Sequence, residues 1–324
     1  MRKLSTLVIS ALSALALAST AAASNGGGTP VSPISPNGEK ATSAYWLILI
    51  FTGLIFVLVE GALIAFVIRF RSKGRARTEE GPDIHGSTKL ETAWTIAPVV
   101  ILAVIAVFIF ISLPGFNNPA AADEKTAVHV NVIAHQFYWE FRYEDGPYAF
   151  DTMTVPVDRL VELTIQSEDV AHSFWIPAIG PKQDAIPGKT NHLWFKANRT
   201  GTFKGQCAEL CGLLHAKMTQ AVTVVSQDEY AAWLQRQASL TPVQLGKQIF
   251  DASCAKCHGA LAEGFVGPNI QQSSVPKSLK TLRPLMENGL RKMPAVGSGL
   301  TDEELLAIAA YFRSNPFTEA SSGK

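Results

Sequence analysis

The stretch that decides the fold and its chemistry is Cys207-Ala-Glu-Leu-Cys-Gly-Leu-Leu-His-Ala-Lys-Met218, which has the pattern C-x3-C-x3-H-x2-M. Thiolate, imidazole and thioether groups together suit copper better than calcium or magnesium, and an axial Met is typical of electron-transfer copper in sandwich folds. Two thiolates this close in sequence can also bridge two metal ions. We therefore predict a copper site with Cys207, Cys211, His215 and Met218 as ligands.

A dinuclear site needs a second imidazole, and the best candidate is His172 in Asp-Val-Ala-His172-Ser-Phe-Trp. It follows an extended segment, so the two loops can meet at one end of a sandwich. The alternative for Cys207 and Cys211 is a disulfide, because an exported chain lies in an oxidising compartment. The other histidines are expected to be polar surface or core residues: His85, His129, His135 and His192.

The residues around this loop have the pattern of an all-β domain. Val128, Val130 and Val132 alternate with polar residues, and 155–165 and 219–225 are extended in type. Short strands at this spacing, separated by Pro and Gly, favour a β-sandwich or small barrel of about 100 residues.

A second cysteine motif, Cys254-Ala-Lys-Cys257-His258, has the C-x-x-C-H pattern of covalent haem c attachment. Two thiols add to the haem vinyl groups, and the adjacent His becomes an axial ligand of the iron. The sixth ligand is predicted to be Met293, because Arg-Lys-Met293-Pro is an irregular segment that can cross the haem face. Met286 is the alternative, although its stretch is helical in pattern. A redox or zinc C-x-x-C is disfavoured, since no further cysteine pair remains.

The surrounding unit resembles a small class I cytochrome c. Gly267-Pro268 resembles the loop that supports the proximal His in that family, and Thr301 with Glu304 marks the start of a final helix. A polar helical stretch at about 227–237 connects this unit to the β domain.

The N-terminal region has the features of an exported, membrane-anchored chain. Residues 1–23 read as a cleaved signal peptide, with Arg2, Lys3 and a short apolar run. The Gly- and Pro-rich stretch 24–43 is predicted to be a mobile leader.

Two apolar runs, at about 44–68 and 94–113, are each long enough to cross a ~30 Å hydrocarbon layer. The turn between them is basic, which predicts that it is cytoplasmic and that everything after Pro114 lies outside the cytoplasm. Glu60 in the first run is assigned no role beyond a neutral or paired carboxyl. Glu91, at the start of the second, is read from the residues alone as a helix-start acid.

Composition limits the function classes. The chain has 324 residues, 47% hydrophobic and 17% charged, with a formal net charge of +1, so no nucleic-acid partner is expected. Its mean hydropathy of +0.16 agrees with a membrane segment. Four cysteines are too few for a disulfide scaffold.

Taken together, the hairpin, the Leu90-Glu-Thr-Ala-Trp-Thr95 and Gln136-Phe-Tyr-Trp139 segments, the His172 segment and the Cys207 loop resemble subunit II of haem-copper cytochrome c oxidases. The resemblance implies a multidomain membrane protein. Its expected parts are a two-helix transmembrane hairpin (44–118), a cupredoxin-like β-sandwich (119–226), a helical linker (227–241) and an all-α class I cytochrome c domain (242–324).

In that family Cys207 and Cys211 would bridge a dinuclear copper centre (CuA), and His172 and His215 would each ligate one copper. Met218 and the backbone carbonyl of Glu209 would be weaker ligands. The resemblance also implies that the Glu209 carboxylate binds magnesium or manganese shared with subunit I, and that Glu91 is a candidate for the entrance of a proton pathway. One residue departs from the family: Phe137 stands where a Trp commonly receives electrons from soluble cytochrome c.

The resemblance implies a subunit of a proton-translocating cytochrome c oxidase in the cell membrane, with both redox domains on the periplasmic or extracellular side. Electrons would pass from cytochrome c or another donor through haem c and the copper pair to subunit I, where O2 is reduced, with subunit III as a further partner. The alternatives are the copper subunit of a nitric oxide reductase and a membrane-anchored electron carrier without an oxidase. A quinol oxidase subunit is disfavoured because it would not need the copper ligands.

Overall fold

The computed structural model describes residues 31–71, 74, 81, 83, 85–114, 126–144, 146–297, 299–314 and 316–317. The predicted signal peptide, the start of the leader and most of the basic turn lie outside these residues. The chain divides into two compact units, one formed by 40–118 and the other by the remainder.

Two long apolar helices, α1 (Pro36–Arg69) and α2 (Thr88–Ser112), are both long enough to cross a membrane. All of α2 and all but the first turn of α1 lie in the unit 40–118. Their aliphatic and aromatic side chains are exposed along most of their length, as expected of lipid-facing helices. At the start of α2, the Glu91 carboxylate accepts a hydrogen bond from the backbone N–H of Ser87 at 3.3 Å. This contact is what a helix-start acid makes.

The prediction of a mobile leader over 24–43 is wrong for its second half. Ile34, Ser35 and Asn37 are fully buried against the β domain. The Ile34 N–H donates to the Ala178 carbonyl at 2.9 Å, and the Asn37 amide donates to the Trp194 carbonyl at 2.7 Å. Helix α1 accordingly begins at Pro36 rather than near 44. The Pro- and Gly-rich composition indicated a mobile segment, but one apolar side chain and several polar groups of this segment are bound by the β domain.

The β domain is built from short strands in two principal sheets and a small hairpin. Its strands are β1 (Val128–His135), β2 (Tyr138–Tyr143), β3 (Tyr148–Phe150), β4 (Thr152–Pro156), β5 (Leu160–Ser167), β6 (His172–Phe174), β7 (Gln183–Ala185), β8 (Asn191–Lys196), β9 (Gly201–Gln206) and β10 (Thr219–Val225). The sheet orders are β3-β2-β1-β5-β8, β4-β10-β9 and β6-β7. One shared core lies inside, with Trp139, Phe174 and Phe195 fully buried.

Strand register fixes the positions of the turn at 136–137 and of the Cys207 loop. β1 pairs parallel to β5 and antiparallel to β2, so the turn at 136–137 lies beside the segment that follows β5. β9 pairs antiparallel with β10, with Thr219 opposite Gln206, so the Cys207 loop connects two paired strands. Both loops emerge from a rigid frame, which favours well-defined side-chain positions.

Helix α3 (Gln227–Ala238) follows the β domain and is capped at Ser226. The helical C-terminal domain then contains α4 (Pro242–Ile249), a π-helical turn (Phe250–Cys254), α5 (Ala255–His258), α6 (Leu279–Asn288) and α7 (Asp302–Arg313). Helices α4 and α7 cross closely at Gly246, where an added Cβ would lie 2.0 Å from the Ala307 carbonyl oxygen. Only glycine permits this approach of the two backbones.

Candidate redox centres

The predicted copper ligands converge at one end of the β domain. The two sulfur atoms Cys207 Sγ and Cys211 Sγ are 3.9 Å apart, and both cysteines are free. A disulfide has an S–S distance of about 2.05 Å, so these sulfurs are not bonded. His172 Nδ1 lies 3.9 Å from Cys207 Sγ, and His215 Nδ1 lies 3.5 Å from Cys211 Sγ. His172, Cys207 and Cys211 are buried, with ligand atoms within 4.8 Å of one another.

The weaker donors lie at the same place. Met218 Sδ is 3.7 Å from Cys211 Sγ, and the carbonyl oxygen of Glu209 is 3.2 Å from Cys207 Sγ. Two sulfurs, two imidazoles, a thioether and a carbonyl form a soft and largely buried donor set, which fits copper. The Glu209 carboxylate belongs to a different environment, since it is half exposed and 3.8 Å from Lys182 Nζ.

Asp169 orients His172, which lies on the short strand β6. The His172 Nε2–H donates to Asp169 Oδ1 at 2.8 Å, which leaves Nδ1 directed at Cys207. The other oxygen, Asp169 Oδ2, accepts the backbone N–H of Gln136 at 2.5 Å. A carboxylate that binds the far nitrogen of a ligating imidazole fixes both its tautomer and its orientation.

The two thiols differ in acidity. Burial opposes ionisation of Cys207, but hydrogen bonds with His172 and with the backbone near Ser173 and Glu209 lower its pKa to about 7. Burial and the neighbouring Cys207 raise the pKa of Cys211 to about 12. The protein alone therefore favours one thiolate, and the charge of a metal ion would be needed to stabilise the second.

The Gln136–Phe137 turn packs against the loop 207–218, which carries most of the predicted copper ligands and is called the copper loop below. The Gln136 side-chain amide donates to the Cys211 carbonyl at 2.5 Å. The Phe137 ring packs against Gly212, where an added Cβ would lie 3.2 Å from Phe137 Cε1. Phe137 is only 6% exposed, so this ring is covered rather than presented to solvent.

The predicted haem motif forms a compact turn in the C-terminal domain. Cys254 ends the π-helical turn, and α5 carries Cys257 and the buried His258. The His258 Nδ1–H donates to the Pro268 carbonyl at 2.7 Å, which leaves Nε2 available to a metal. An added Cβ at Gly267 would lie 2.8 Å from His258 Cε1. The Gly-Pro loop thus supports the imidazole, as the resemblance to class I cytochromes c implied.

The two methionines lie in different environments. Met286 is 2% exposed inside α6 and packs in the domain core. Met293 is partly buried and lies in the irregular segment between α6 and α7. Met293 as the axial ligand remains a prediction.

Several residues that support the two sites have no motif of their own. Asp169 could have been found from its position three residues before His172. The contact of Lys256, inside the haem motif, with Asp151 of the β domain joins residues 105 apart and has no local sequence signal.

Three family models match successive parts of the chain. Residues 31–112 match the transmembrane domain of cytochrome c oxidase subunit II, and residues 148–225 match its periplasmic domain. Residues 241–312 match the family described as cytochrome c oxidase, cbb3-type, subunit III. The three matches follow the order of the membrane helices, the β domain and the helical domain.

Curated relatives match over most of the chain. Cytochrome c oxidase subunit 2 of Alkalihalophilus pseudofirmus is 31% identical over 87% of this chain and 90% of its own length. The subunit 2 of Bacillus sp. (strain PS3) is 31% identical over 88% and 91%. That of Cereibacter sphaeroides is 34% identical over 65% of this chain and 80% of its own length.

Among solved structures, the periplasmic domain of subunit II of cytochrome oxidase from Bradyrhizobium japonicum is 36% identical to this chain. The match covers 34% of this chain and 93% of that domain, with a TM-score of 0.34.

Proposed function

Because this chain belongs to the cytochrome c oxidase subunit 2 family, we propose specific residues for each step of its electron-transfer role. The chain is a membrane protein with a periplasmic β domain and a fused cytochrome c domain, and it transfers electrons to the oxidase. The donor pairs Cys207 with His172 and Cys211 with His215 would hold a dinuclear copper centre.

The observation that carries this proposal is the convergence of six soft or carbonyl donors in one largely buried place. His172 lies beside Cys207, Cys207 beside Cys211, and Cys211 beside His215, so these four residues would together hold the copper. Met218 lies beside Cys211 and the Glu209 carbonyl lies beside Cys207, so both would be available as weaker ligands. Copper bound there would supply a carrier that accepts and releases one electron at a time.

The protein itself holds the donor groups in fixed positions that are largely shielded from water. Asp169 holds His172 in one tautomer, and Gln136 holds the carbonyl of Cys211. Ligands that are fixed in this way move little when the charge of the site changes, so the reorganisation energy of electron transfer stays small.

The haem would be attached through Cys254 and Cys257, with His258 and Met293 as axial ligands. Support comes from the C-x-x-C-H motif, from the His258 hydrogen bond to Pro268, and from the irregular segment that contains Met293. His/Met ligation gives a potential suited to electron transfer.

Electron paramagnetic resonance tests the copper proposal directly. The full-length chain, solubilised in detergent with haem attached and copper supplied, should hold about two coppers per haem with one unpaired electron shared between them. Cys211→Ser and His172→Ala should lose the shared signal, while the exposed His192→Ala should keep it. A normal signal from Cys211→Ser would contradict the bridging role.

We also propose that the Glu209 carboxylate binds magnesium or manganese at the contact with subunit I. Its position within the loop 207–218 supports this, because the carboxylate is half exposed and accessible to a second subunit, whereas the carbonyl lies at Cys207. Manganese resonance in the assembled oxidase should be lost in Glu209→Gln and kept in Glu263→Gln. Retention in Glu209→Gln would refute the assignment.

Subunit III and an external cytochrome c are proposed as further partners.

Glu91 is proposed as the entrance of a proton pathway. The exposed carboxylate of Glu91 at the start of α2 supports access to water on the side of the basic turn. Glu91→Gln should slow proton uptake by the assembled oxidase without altering the copper signal. Uptake at the normal rate would leave Glu91 with only its helix-start hydrogen bond.

A further inference from the structure

Lys256, the central residue of the haem motif, contacts the β domain. Its Nζ lies 2.5 Å from Asp151 Oδ2 and donates to the Phe137 carbonyl at 2.8 Å. The side chains of Lys256 and Asp151 are 14% and 24% exposed, so the pair is largely shielded from water. Charge-assisted hydrogen bonds in such surroundings are stronger than those between exposed groups.

The β-domain side of this contact leads directly to the copper loop. Phe137 packs against Gly212, and its neighbour Gln136 binds the carbonyl of Cys211 at 2.5 Å. Asp151 is fixed in turn, because its Oδ1 accepts the backbone N–H of Trp139 at 3.0 Å. Lys256 therefore joins the haem motif to the turn on which the copper loop rests.

Other contacts hold the two domains together away from this point. Arg142 donates to the Gly299 carbonyl at 3.1 Å, and the Tyr138 hydroxyl donates to the Val296 carbonyl at 3.3 Å. These bonds involve the segment that precedes α7 rather than the haem motif. Cys257 of the motif also packs against the β-domain core, so loss of the Lys256 contact should loosen the haem motif locally and leave the domains associated.

We propose that Lys256, with Asp151, is a positioning residue for electron transfer: it holds the turn Cys254–His258 against the Phe137 carbonyl and so fixes the distance from haem motif to copper loop. The inference rests on the proposed function. In each transfer one electron leaves the haem site and one is gained at the copper site, and no bond or proton on this chain changes. Because transfer rates fall steeply with distance, a small local displacement slows the transfer.

Phe137 is buried in the core of the β domain, and its carbonyl is bound by the haem motif of the same chain. Lys256 therefore anchors the haem motif to a well-packed part of the β domain.

The test uses the assembled oxidase with all its cofactors. Lys256→Gln and Asp151→Asn should each slow electron equilibration between haem c and copper, after light-triggered reduction of the haem, by about fivefold or more. Lys256→Arg should restore most of the rate, because the positive charge and its donors remain. Lys247→Gln is the matched control, since it removes an exposed ion pair with Asp251 inside the helical C-terminal domain (α4 to α7, the haem domain) and should leave the rate unchanged.

A second measurement distinguishes a positioning role of Lys256 from a general loss of structure. Hydrogen exchange of the backbone at 136–139 and 254–258 should increase in Lys256→Gln and Asp151→Asn, whereas exchange at 296–300 should not. The haem potential and the copper resonance should match those of the parent chain. If Lys256→Gln does not attach haem, Asp151→Asn still decides the question, because Asp151 lies outside the motif.

An unchanged equilibration rate in Asp151→Asn, with increased exchange at 136–139, would overturn the proposal. Equal slowing in Lys247→Gln would also overturn it, because the effect would then not depend on the domain contact. Failure of the proposed function has a different signature, namely absence of the shared copper signal in the parent chain itself.

Discussion

Several charged side chains are buried where the two redox domains meet. Glu140 is fully buried and bonds His135 Nε2 at 3.1 Å and the Arg142 guanidinium. From the haem domain, the fully buried Glu304 approaches Arg142 at 3.9 Å and caps α7 through Thr301. Its Oε1 has no hydrogen-bond partner. Burial and the nearby charge of Glu140 raise the pKa of Glu304, despite the opposing effects of Thr301 and Arg142.

The raised pKa predicts how stability depends on pH. A carboxyl whose pKa is higher in the folded chain binds its proton more tightly there, so stability falls as pH rises from the unfolded to the folded pKa. Glu304→Gln keeps an oxygen for the Thr301 cap and carries no charge. We expect its Tm to exceed that of the parent by a few degrees at pH 8 and to converge with it near pH 4.

Calorimetry at the two pH values checks this expectation. Glu303→Gln, an exposed neighbour in the first turn of α7, is the control and should show no such pH-dependent gain. A Glu304→Gln chain that is less stable than the parent at pH 8 would show that the attraction to Arg142 outweighs burial.

Helix boundaries in the C-terminal region follow local sequence signals. Capping boxes are present at Ser226, Thr241 and Thr301, each with a Glu or Gln three residues later. Packing between helices depends on single positions that such signals do not reveal. Gly246 on α4 is the clearest case, because the backbone of α7 leaves no room for a side chain.

Gly246→Ala should therefore destabilise the haem domain. The new methyl group would meet a backbone carbonyl, which cannot move without separating α4 from α7, and we expect a loss of about 2–3 kcal/mol in the free energy of unfolding. Denaturant unfolding followed by haem absorbance measures it. Lys247→Ala, the next residue, changes an exposed ion pair and should cost less than about 1 kcal/mol. Similar midpoints for the two variants would contradict the close crossing.

At the scale of the whole molecule, segments far apart in sequence complete one another's cores. Ile34, which precedes the first membrane helix, belongs to the core of the β domain. Its backbone also accepts the N–H of Asn198 at 2.8 Å. The Phe150 side chain of the β domain packs against the core of the haem domain. The periplasmic part of the chain is thus assembled from contacts that cross its domain boundaries.

Ile34→Ala should destabilise the β domain although it lies outside the strands. Truncation of a fully buried Ile leaves a cavity, and the expected loss is about 2–5 kcal/mol. Thermal unfolding of the full chain, followed by loss of the copper signal, measures it. The control Val243→Ala truncates an exposed side chain of α4 and should change little. Equal stability of Ile34→Ala and the parent would show that the N-terminal contact contributes nothing.

The sequence by itself determined what depends on local spacing. The copper loop, the C-x-x-C-H motif, the Gly267-Pro268 support of His258, the two apolar helices and the cap of α7 are all encoded within short segments. Chemistry that needs particular residue types a few positions apart leaves a pattern that can be read without a structure.

Only the tertiary structure decided how distant segments meet. The burial of Ile34, the Asp169 contact with Gln136, and the Lys256 contact with Asp151 and Phe137 join residues that no periodicity relates. Each partner alone is compatible with an ordinary surface position, and only packing of the chain makes burial and pairing favourable together. For that reason candidate ligands could be named from the sequence, whereas the contacts that hold them in place could not.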